Sequence, residues 1–346
     1  MRPTRLGTLS NTKQSRGKTP RKWAPRMLMM ITGAAGFIGS HAVARLVRDG
    51  HHVIAVDQLA LDDALDVTDA LNGAKVTYRQ IDIGDEGRLR ETIEGVDVVW
   101  HFAASADIPG GARRTGLDLA SSVMGTRAVL EAMRGAGTPE IVFPSTSAVY
   151  GAEPPRPVPE THGPTLPTSL YGAGKAGAEA LISAYCHLFG LRAWIFRLGN
   201  VVGGGMPRGV IRDFILKLSA DPERLAVLGT GTQRKSYVLV DDVLDGMATL
   251  RDAHDLTGKA PCDVVNIAAD GSLDVLTVAS IVAGEMGLAP VVSTAGDGLS
   301  WPGDQPVVEL DVAKAAGLGW QAAHSPARAV ALAARRLVPA LLGADR

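Results

Sequence analysis

A glycine-rich turn between an apolar run and a helical stretch constrains the fold of this chain most. The run Met27–Thr32 leads into Gly33-Ala-Ala-Gly36-Phe-Ile-Gly39, and helical periodicity then continues to about Arg48. Glycines in this spacing permit a tight turn, a close approach of the backbone to a ligand, and close packing of the helix on the strand. The first amides of the helix favour an anion such as a pyrophosphate. The pattern therefore indicates a strand–turn–helix unit that binds a dinucleotide.

An acidic residue at the end of the next strand indicates which dinucleotide is bound. The second apolar run, His52–Val56, ends in Asp57, eighteen residues beyond Gly39. A carboxylate there accepts hydrogen bonds from both adenosine ribose hydroxyls and repels a 2′-phosphate, which favours NAD over NADP. A glycine turn needed only for packing is the alternative, but it does not account for Asp57. The predicted NAD-binding residues in these segments are Gly33, Ala35, Gly36, Phe37, Ile38, Gly39 and Asp57.

The ends of the third and fourth apolar runs supply further candidates for cofactor binding. Asp82 and Ile83 follow Val76–Ile81, and Asp82 either hydrogen-bonds the adenine or caps the next helix. The fourth run, Val96–Phe102, ends in small residues that let the backbone approach the cofactor, and its His101 is interpreted as a packed histidine. The candidates in this run are Phe102, Ala103 and Ala104.

Strand-like runs alternate with helical stretches over the first two thirds of the chain. Such repeated β-α units predict an α/β fold, a Rossmann-like doubly wound parallel sheet with helices on both faces. After Gly199 the sequence pattern changes to short predicted elements and Gly/Pro-rich loops. We predict an NAD-binding domain over residues 27–198, to which 232–265 return, and a smaller substrate-binding region over 199–231 and 266–346. The remaining predicted strands are Glu140–Ser145 and Leu191–Phe196, and the long helices cover about 118–135 and 171–189.

Charge is distributed unevenly along the 346 residues. Residues 1–26 carry eight of the 35 basic side chains and no acid, so the rest has 27 basic against 36 acidic residues. A disordered tail is the favoured reading of this segment, with a transit peptide or a nucleic-acid arm as alternatives. The acidic body argues against nucleic acid as the main partner. The absence of an apolar run of about 20 residues argues against a membrane span.

The cysteine and metal-ligand patterns point to an ordinary intracellular protein. Cys186 and Cys262 lie far apart in sequence, with neither metal-ligand nor redox spacing. We therefore expect no metal site and a reducing compartment, the cytoplasm.

Tyr171 and Lys175 are the candidate acid–base pair. Four residues apart, they share one face of a helix, and an ammonium beside a phenol favours the phenolate. A phenolate can take a proton from a substrate hydroxyl while a hydride leaves the same carbon. An exposed, solvated helix face also produces this spacing. The catalytic interpretation of the pair therefore depends on the predicted dinucleotide site.

Taken together in this order, these motifs resemble the extended short-chain dehydrogenases/reductases. Within that group, the chain looks like the NAD-dependent nucleotide-sugar epimerase/dehydratase family, of the UDP-glucose 4-epimerase type, over about residues 27–320. Additional points of resemblance are Ser145-Thr-Ser-Ala-Val-Tyr-Gly151, Arg197-Leu-Gly-Asn-Val-Val-Gly203 and the segment from Gly229 to Asp242. The resemblance implies tightly held NAD, a nucleotide-diphosphate sugar (a UDP-sugar above others) as substrate, and a homodimer built on the two long helices.

The same resemblance implies a third catalytic residue and a reaction type. Thr146 stands where the family has the Ser or Thr that bridges the sugar 4-OH and the tyrosine; the alternative is a hydroxyl that satisfies backbone groups at a strand end. Related 4,6-dehydratases carry an Asp-Glu pair at the next two positions, and decarboxylases keep the glutamate. Here these are Ser147 and Ala148, which cannot act as acid or base near neutral pH. Oxidation and re-reduction at one carbon needs neither.

The family pattern is less complete at the substrate end. Asn200 resembles an asparagine that contacts the substrate phosphate or sugar, with a turn residue as the alternative. Lys235 takes the place of an arginine that clamps the pyrophosphate, and Trp301 takes the place of a second one. Ser122 replaces an asparagine of the central helix. The candidate substrate-binding residues are Thr146, Ser147, Tyr171, Asn200, Arg208, Arg234, Lys235 and Trp301.

Several functions remain open at this point. The favoured one is an NAD-dependent nucleotide-sugar 4-epimerase that passes through a 4-keto sugar. A dehydrogenase or reductase of the same family would consume NAD(H), and a dehydratase or decarboxylase lacks its acid–base pair here. A non-catalytic NAD-sensing regulator is the alternative of a different class, although such proteins commonly lose the Tyr/Lys pair.

Overall fold

A parallel sheet of seven strands forms the centre of the molecule. The computed structural model describes residues 26–61, 74–105, 107–253, 256, 260–296 and 305–343. The strands of these residues are β1 (Leu28–Thr32), β2 (His52–Asp57), β3 (Val76–Gln80), β4 (Val98–His101), β5 (Glu140–Thr146), β6 (Arg192–Leu198), β7 (Asn200–Val202), β8 (Arg224–Leu228), β9 (Arg234–Lys235), β10 (Tyr237–Leu239), β11 (Cys262–Ile267), β12 (Leu273–Asp274), β13 (Val291–Ala295) and β14 (Val307–Val308). The central sheet has the order β11-β6-β5-β4-β1-β2-β3.

Helices cover both faces of this sheet, which confirms the predicted α/β, Rossmann-like fold. The described helices are α1 (Phe37–Arg48), α2 (Glu86–Thr92), α3 (Ile108–Gly111), α4 (Gly116–Asp118), α5 (Gly125–Ala136), α6 (Leu170–Phe189), α7 (Val210–Ala220), α8 (Val240–Ala253), α9 (Val275–Glu285), α10 (Ala313–Gly317) and α11 (Pro326–Leu342). Successive residues of β1 pack into different cores, because side chains of a strand alternate between its faces. Met29 and Ile31 join one core with α1 and α8, and Met30 joins the other with α5 and α6.

The long helix expected over residues 118–135 is interrupted. After α4 the chain makes a π-helical turn, Leu119–Met124, before α5 begins at Gly125. A Cβ at Gly125 would lie 2.4 Å from Cδ1 of Ile83, so the helix passes very close to the loop after β3. The helical periodicity of the sequence carries no signal of this π turn, which packs against the helix that carries Tyr171.

The segments after Gly199 form a further core beside the carboxyl edge of the sheet. Its buried side chains come from α7, α9, α11, β8 and β10. Within segment 232–265, β11 pairs with β6 in the central sheet, whereas β9 and β10 pair with β12, β14 and β7 outside it. The division of the chain into two domains stays a prediction, and its basic extension lies outside the described residues except for Arg26.

The two cysteines are neighbours in space despite their separation in sequence. The Cys186 and Cys262 thiols, on α6 and β11, are free and lie close enough together that each shifts the pKa of the other. The described residues contain no cluster of three or more His, Cys, Asp or Glu side chains that could hold a metal ion. None of the helices described above is long and apolar enough to cross a bilayer.

Candidate active site

Tyr171 and Thr146 meet where β5 ends and α6 begins. The Ser169 side chain caps α6 by accepting a hydrogen bond from the Gly172 amide, at 3.1 Å, which fixes the first helical turn. A Cβ at Gly172 would lie 2.8 Å from the Ala148 carbonyl oxygen, so glycine lets this turn approach the end of β5. The Thr146 hydroxyl consequently lies close enough to the Tyr171 phenol to lower its pKa. The structure thus brings together two of the three predicted catalytic side chains.

Lys175 lies one turn further along the same helix and is almost completely buried, at 3% exposure. Its Nζ donates a 2.9 Å hydrogen bond to the Pro144 carbonyl oxygen and lies 4.4 Å from the centre of the Phe143 ring. Burial lowers the pKa of Lys175 to about 8, and the nearby Glu179 carboxylate opposes that shift. The lysine is therefore oriented by β5, and its pKa lies close to physiological pH.

The pKa of Tyr171 departs from the expected direction. In the protein by itself, burial raises the pKa of Tyr171 to about 12, although the Thr146 side chain lowers it. The charge of Asp118 contributes a further increase. The Lys175 ammonium does not offset these effects, because it faces Pro144 and Phe143. In the protein by itself, Lys175 does not depress the pKa of Tyr171, and the lowering expected from Lys175 together with the positive nicotinamide stays a prediction.

A buried ion pair joins helix α6, which carries Tyr171 and Lys175, to strand β6. Glu179, 8% exposed, accepts hydrogen bonds from Arg197 Nε at 3.1 Å and Nη2 at 2.7 Å, and from the Ser145 hydroxyl. Arg197 also lies 4.8 Å from the centre of the Tyr150 ring. Ser145, which precedes the candidate catalytic residue Thr146, therefore has a structural role. Sequence reasoning missed this pair because 18 residues separate its members on different elements.

The glycine turn has the close contacts that its spacing predicts. Gly33 has a φ of +70°, and a Cβ there would lie 2.6 Å from the Ala103 backbone nitrogen. A Cβ at Gly39 would lie 2.0 Å from the Gly33 carbonyl oxygen. Gly33 therefore lets the turn adopt a left-handed conformation against the end of β4, and Gly39 lets α1 pack on the turn.

The start of α1 suits an anionic ligand. Gly36 caps this helix without a side-chain hydrogen bond, and its first turn holds no acidic residue. Asp57 accepts hydrogen bonds from the Ala35 amide at 2.9 Å and the Leu59 amide at 3.1 Å, which ties the turn to β2. Each carboxylate oxygen keeps a second lone pair for a ribose hydroxyl. These residues fit the pyrophosphate and adenosine ribose of NAD.

The remaining cofactor candidates lie around the same edge of the sheet. Asp82 accepts a 2.8 Å hydrogen bond from the Gly84 amide, and Asp85 rather than Asp82 caps α2. A depression of about 730 Å³ opens beside Asp82 and Gln58. Ile83 packs on Gly125, while Phe37 packs near Gly203, against the core formed by the segments after Gly199. Ile38, Phe102, Ala103 and Ala104 are partly buried around the turn.

His101 is a packed histidine, as predicted. It is completely buried, and its two ring nitrogens hydrogen-bond to the hydroxyls of Thr32, at 2.6 Å, and Thr126, at 3.0 Å. Burial, followed by the charge of Lys175, lowers the pKa of His101 to about 3. A neutral imidazole therefore links the ends of β1 and β4 behind the site.

The predicted substrate residues are less closely grouped. Asn200 is exposed at the start of β7, and the Ser147 side chain is buried beside Thr146. Arg208 pairs with Asp107 at 3.1 Å. Arg234 hydrogen-bonds to Ser272 and lies 3.8 Å from Asp274, whereas Lys235 donates to the Gln305 carbonyl oxygen. Trp301 lies outside the described residues.

Two polar side chains near Tyr171 were not assigned a role from the sequence. The carboxylate of Asp118, at the end of α4, is 1% exposed, and neither oxygen has a hydrogen-bond partner among the described residues. The Ser122 hydroxyl, in the π turn, is also buried without a partner there. A Cβ at Gly174 of α6 would lie 3.0 Å from the Asp118 carbonyl oxygen and 3.1 Å from Ser122 Cβ. Only the packing of the π turn on α6 reveals this arrangement.

Several known proteins are similar to this chain in sequence and structure. The chain is 35% identical over 230 residues to a UDP-glucose 4-epimerase of Mycolicibacterium smegmatis, covering 63% of this chain and 71% of the relative. It is 30% identical over 302 residues to a putative UDP-glucose 4-epimerase of Methanocaldococcus jannaschii, covering 85% and 93%. A crystal structure of a UDP-galactose 4-epimerase superposes with a TM-score of 0.81 and 34% identity, covering 91% of this chain and all of that one.

Other relatives have different activities. A UDP-glucuronate 4-epimerase of Thermodesulfobacterium geofontis is 33% identical over 63% of this chain and 69% of its own length. The dTDP-D-glucose 4,6-dehydratase of Mus musculus is 29% identical over 78% of this chain and 75% of its own length. Similarity alone therefore leaves the choice between these reactions open.

The family itself is not in doubt. A model described as the NAD dependent epimerase/dehydratase family matches residues 29–268, which include the glycine turn, Asp57, Thr146, Tyr171 and Lys175. The chain belongs to the NAD-dependent epimerase/dehydratase family of extended short-chain dehydrogenases/reductases, and NAD is its cofactor.

Proposed function

We propose that this protein is an NAD-dependent nucleotide-sugar 4-epimerase. The observation that supports the proposal is that Thr146 lies beside Tyr171, close to Lys175 and the glycine turn, and that Ser147 and Ala148 follow it. Tyrosine, threonine and lysine suffice to move one proton at a carbon that is oxidised and then reduced. Ser147 and Ala148 supply no carboxyl group for elimination, which disfavours the dehydratase activity of some relatives.

When bound, NAD⁺ would supply the acceptor, and NADH the donor, of the hydride exchanged with C4 of the sugar. The chain's own residues then have three tasks. Tyr171 takes the proton of the 4-OH, and Thr146, beside the phenol, shortens the path of that proton. Tyr171 gives the proton back after the 4-keto sugar has turned its other face, which yields the C4 epimer.

Lys175 and the positively charged nicotinamide together provide the charge that Tyr171 requires. Burial holds the pKa of Tyr171 at about 12 in the protein by itself, so the phenol stays protonated until the site is assembled. A cation placed beside the phenol favours its ionised form. Lys175, whose Nζ donates a hydrogen bond to the Pro144 carbonyl oxygen, would also bind the nicotinamide ribose. In this account the tyrosine becomes a base only with NAD⁺ bound.

The substrate in this proposal is a nucleotide-diphosphate sugar, with a UDP-sugar favoured. Lys235 and Arg208 are the cations that we assign to its pyrophosphate, and Asn200 contacts the same region. Arg234 is assigned a smaller part, because it points to the face of β9 opposite Lys235 and its guanidinium contacts both Ser272 and Asp274.

A homodimer is part of the same proposal. Large apolar side chains are exposed on the π turn and on α6, which are the elements expected at the dimer face. They are Leu119, Met124, Leu188 and Phe189, with exposures of 58%, 52%, 73% and 48%. Burial of such residues favours association. We also propose a cytoplasmic location, where the contacting thiols of Cys186 and Cys262 stay reduced.

The proposal is tested by replacing Tyr171 with phenylalanine. We expect the Tyr171→Phe protein to keep its bound NAD and to lose at least about a thousandfold in kcat, because no other side chain accepts the 4-OH proton. Tyr185→Phe is the matched control, since Tyr185 lies on the same helix but donates its hydroxyl hydrogen to Glu131 on the surface. Near-normal turnover by Tyr171→Phe would refute the assignment.

Cofactor accounting separates the epimerase from its alternatives. With UDP-glucose or UDP-galactose and no added NAD, an epimerase produces the other sugar without a net change in NADH absorbance. A dehydrogenase or reductase of the same family would change that absorbance in proportion to product. A non-catalytic NAD-sensing protein would bind NAD and form no product from a panel of UDP-, GDP-, CDP- and dTDP-sugars read by NMR.

A further inference from the structure

We infer that Asp118 is a substrate-binding residue that selects nucleotide sugars with a hydroxyl, rather than a carboxylate, at C6 of the sugar. The inference rests on the proposed function and names its substrate class: hexoses with an uncharged C6, and not hexuronates.

The first observation is that Asp118 has no structural role in the described protein. Both of its oxygens are buried and neither accepts a hydrogen bond from a described residue. Other acidic side chains of the fold have such partners: Asp57 holds the glycine turn, Asp85 caps α2 and Asp274 caps α9. A buried carboxylate without a donor is costly, so its retention needs a partner supplied from outside the fold.

The second observation is the place of this carboxylate beside the reacting group. One oxygen lies against α3, where a Cβ at Gly111 would approach it to 2.6 Å. The Asp118 backbone packs on Gly174, within the first turns of α6. Its charge lies near enough to Tyr171 to raise the pKa of that phenol. The carboxylate therefore borders the space beside the 4-OH of the proposed substrate.

The neighbouring cations do not neutralise Asp118. Arg114 and Arg208, two described basic side chains near this corner, both pair with Asp107, at 3.4 and 3.1 Å. Asp107 is itself close enough to raise the pKa of Asp118, after the larger effect of burial. No ion pair with a described basic side chain therefore neutralises the Asp118 carboxylate when it is ionised.

This electrostatic character discriminates between the sugars of the family. An ionised carboxylate accepts hydrogen bonds from hydroxyls and donates none. A C6 hydroxymethyl group supplies the missing donor, whereas a uronate would place a second carboxylate against the first in a site shielded from water. Because relatives include epimerases named for UDP-glucose and for UDP-glucuronate, this contact distinguishes two activities that overall similarity does not.

The test compares Asp118→Asn with the unmodified protein on UDP-glucose and UDP-glucuronate. The unmodified protein is expected to prefer UDP-glucose. Asn keeps the shape but removes the charge, so kcat/KM for UDP-glucose falls about tenfold to a hundredfold, the range for a lost hydrogen bond to a charged group. The value for UDP-glucuronate stays level or rises. Asp97→Asn is the control, because Asp97 accepts its hydrogen bond from the Leu28 amide at the opposite edge of the sheet.

A second variant separates binding from folding. Asp118→Leu buries no charge and should be at least as stable as the unmodified protein, with the same loss of selectivity. An unchanged ratio of the two kcat/KM values in both variants, or a preference of the unmodified protein for UDP-glucuronate, would overturn the inference.

Binding measurements keep this inference separable from the proposed function. Dissociation constants of both sugars are measured on Tyr171→Phe protein containing NAD, with and without Asp118→Asn. Loss of the binding preference supports the role of Asp118 even if the unmodified protein inverts no sugar, in which case the proposed function alone fails. Normal epimerisation with equal binding preference in both proteins refutes the role of Asp118 and leaves the proposed function intact.

Discussion

The cofactor side and the sugar side of this active site differ in how completely their polar groups are partnered. On the cofactor side, Asp57 accepts two backbone amides, and both ring nitrogens of His101 are hydrogen-bonded. On the sugar side, both oxygens of Asp118 and the hydroxyl of Ser122 lack partners among the described residues. The fold thus builds the NAD site from its own contacts. The sugar site, in our account, is completed by the substrate.

Mutations on the two sides should therefore have different effects. A preorganised site depends on backbone positions that no side-chain adjustment replaces, so its mutations should be severe. A site completed by ligand should lose selectivity before it loses stability. The following predictions start with the effects that we expect to be largest.

Gly39→Ala should remove NAD binding and all activity. A Cβ at this position would lie 2.0 Å from the Gly33 carbonyl oxygen, which is backbone and cannot move without opening the turn. Gly284→Ala is the matched control, because a Cβ there meets nothing within 4 Å and the residue lies in helix α9. That control should gain about 0.5–1 kcal/mol of stability. NAD content after purification and thermal unfolding measure both effects, and a Gly39→Ala protein that retains NAD would contradict the prediction.

Glu179→Gln should destabilise the protein by about 3–5 kcal/mol, because it leaves Arg197 charged and unpaired in the interior. The Glu285–Arg335 pair offers a control, since Arg335 is exposed, and Glu285→Gln should barely change the unfolding midpoint. Denaturant unfolding of both variants provides the measurement. Equal effects of the two substitutions would show that the pair behind α6 is not critical.

The stability of the protein should depend on pH through Lys175. Its folded-state pKa of about 8 lies below its ordinary value of 10.5, so between these limits the unfolded chain binds more protons. Stability from this group therefore rises with pH across that window and is lowest below pH 8. Relative to Lys175→Met, the unmodified protein should gain about 2 kcal/mol between pH 7.5 and 9.5. A difference between the two proteins that does not vary with pH would contradict the lowered pKa.

Lys235 and Arg234 should differ in their effect on substrate affinity. Adjacent residues of a strand point to opposite faces, and Arg234 is occupied by Ser272 and Asp274. Lys235→Met should raise KM for the nucleotide sugar about tenfold, as expected for one lost charged contact. Arg234→Met should raise KM less than about twofold, because exposed ion pairs contribute little. Steady-state kinetics test this, and the reverse order would reassign the phosphate contact.

Local patterns were enough to predict much of the fold and of the NAD site. The glycine turn, Asp57 and the Tyr171/Lys175 pair depend on short sequence spacings, and the strand–helix alternation predicts the parallel sheet. The π turn, the Glu179–Arg197 pair and the contact between Cys186 and Cys262 depend on which elements pack together. The same holds for Asp118, whose significance appears only once α4 lies against α6. The raised pKa of Tyr171 in the protein by itself also depends on packing, because burial is its largest cause.

Transfer of a label from C4 of the sugar tests the central claim most directly. UDP-glucose carrying deuterium at C4 is incubated with the purified protein without added NAD, and the products are read by NMR. The account predicts UDP-galactose with the deuterium still at C4, because the hydride returns to the carbon that it left. Deuterium at C6 would indicate a 4,6-dehydratase, and deuterium accumulating in NADH would indicate a dehydrogenase. Either result would contradict the proposed epimerase.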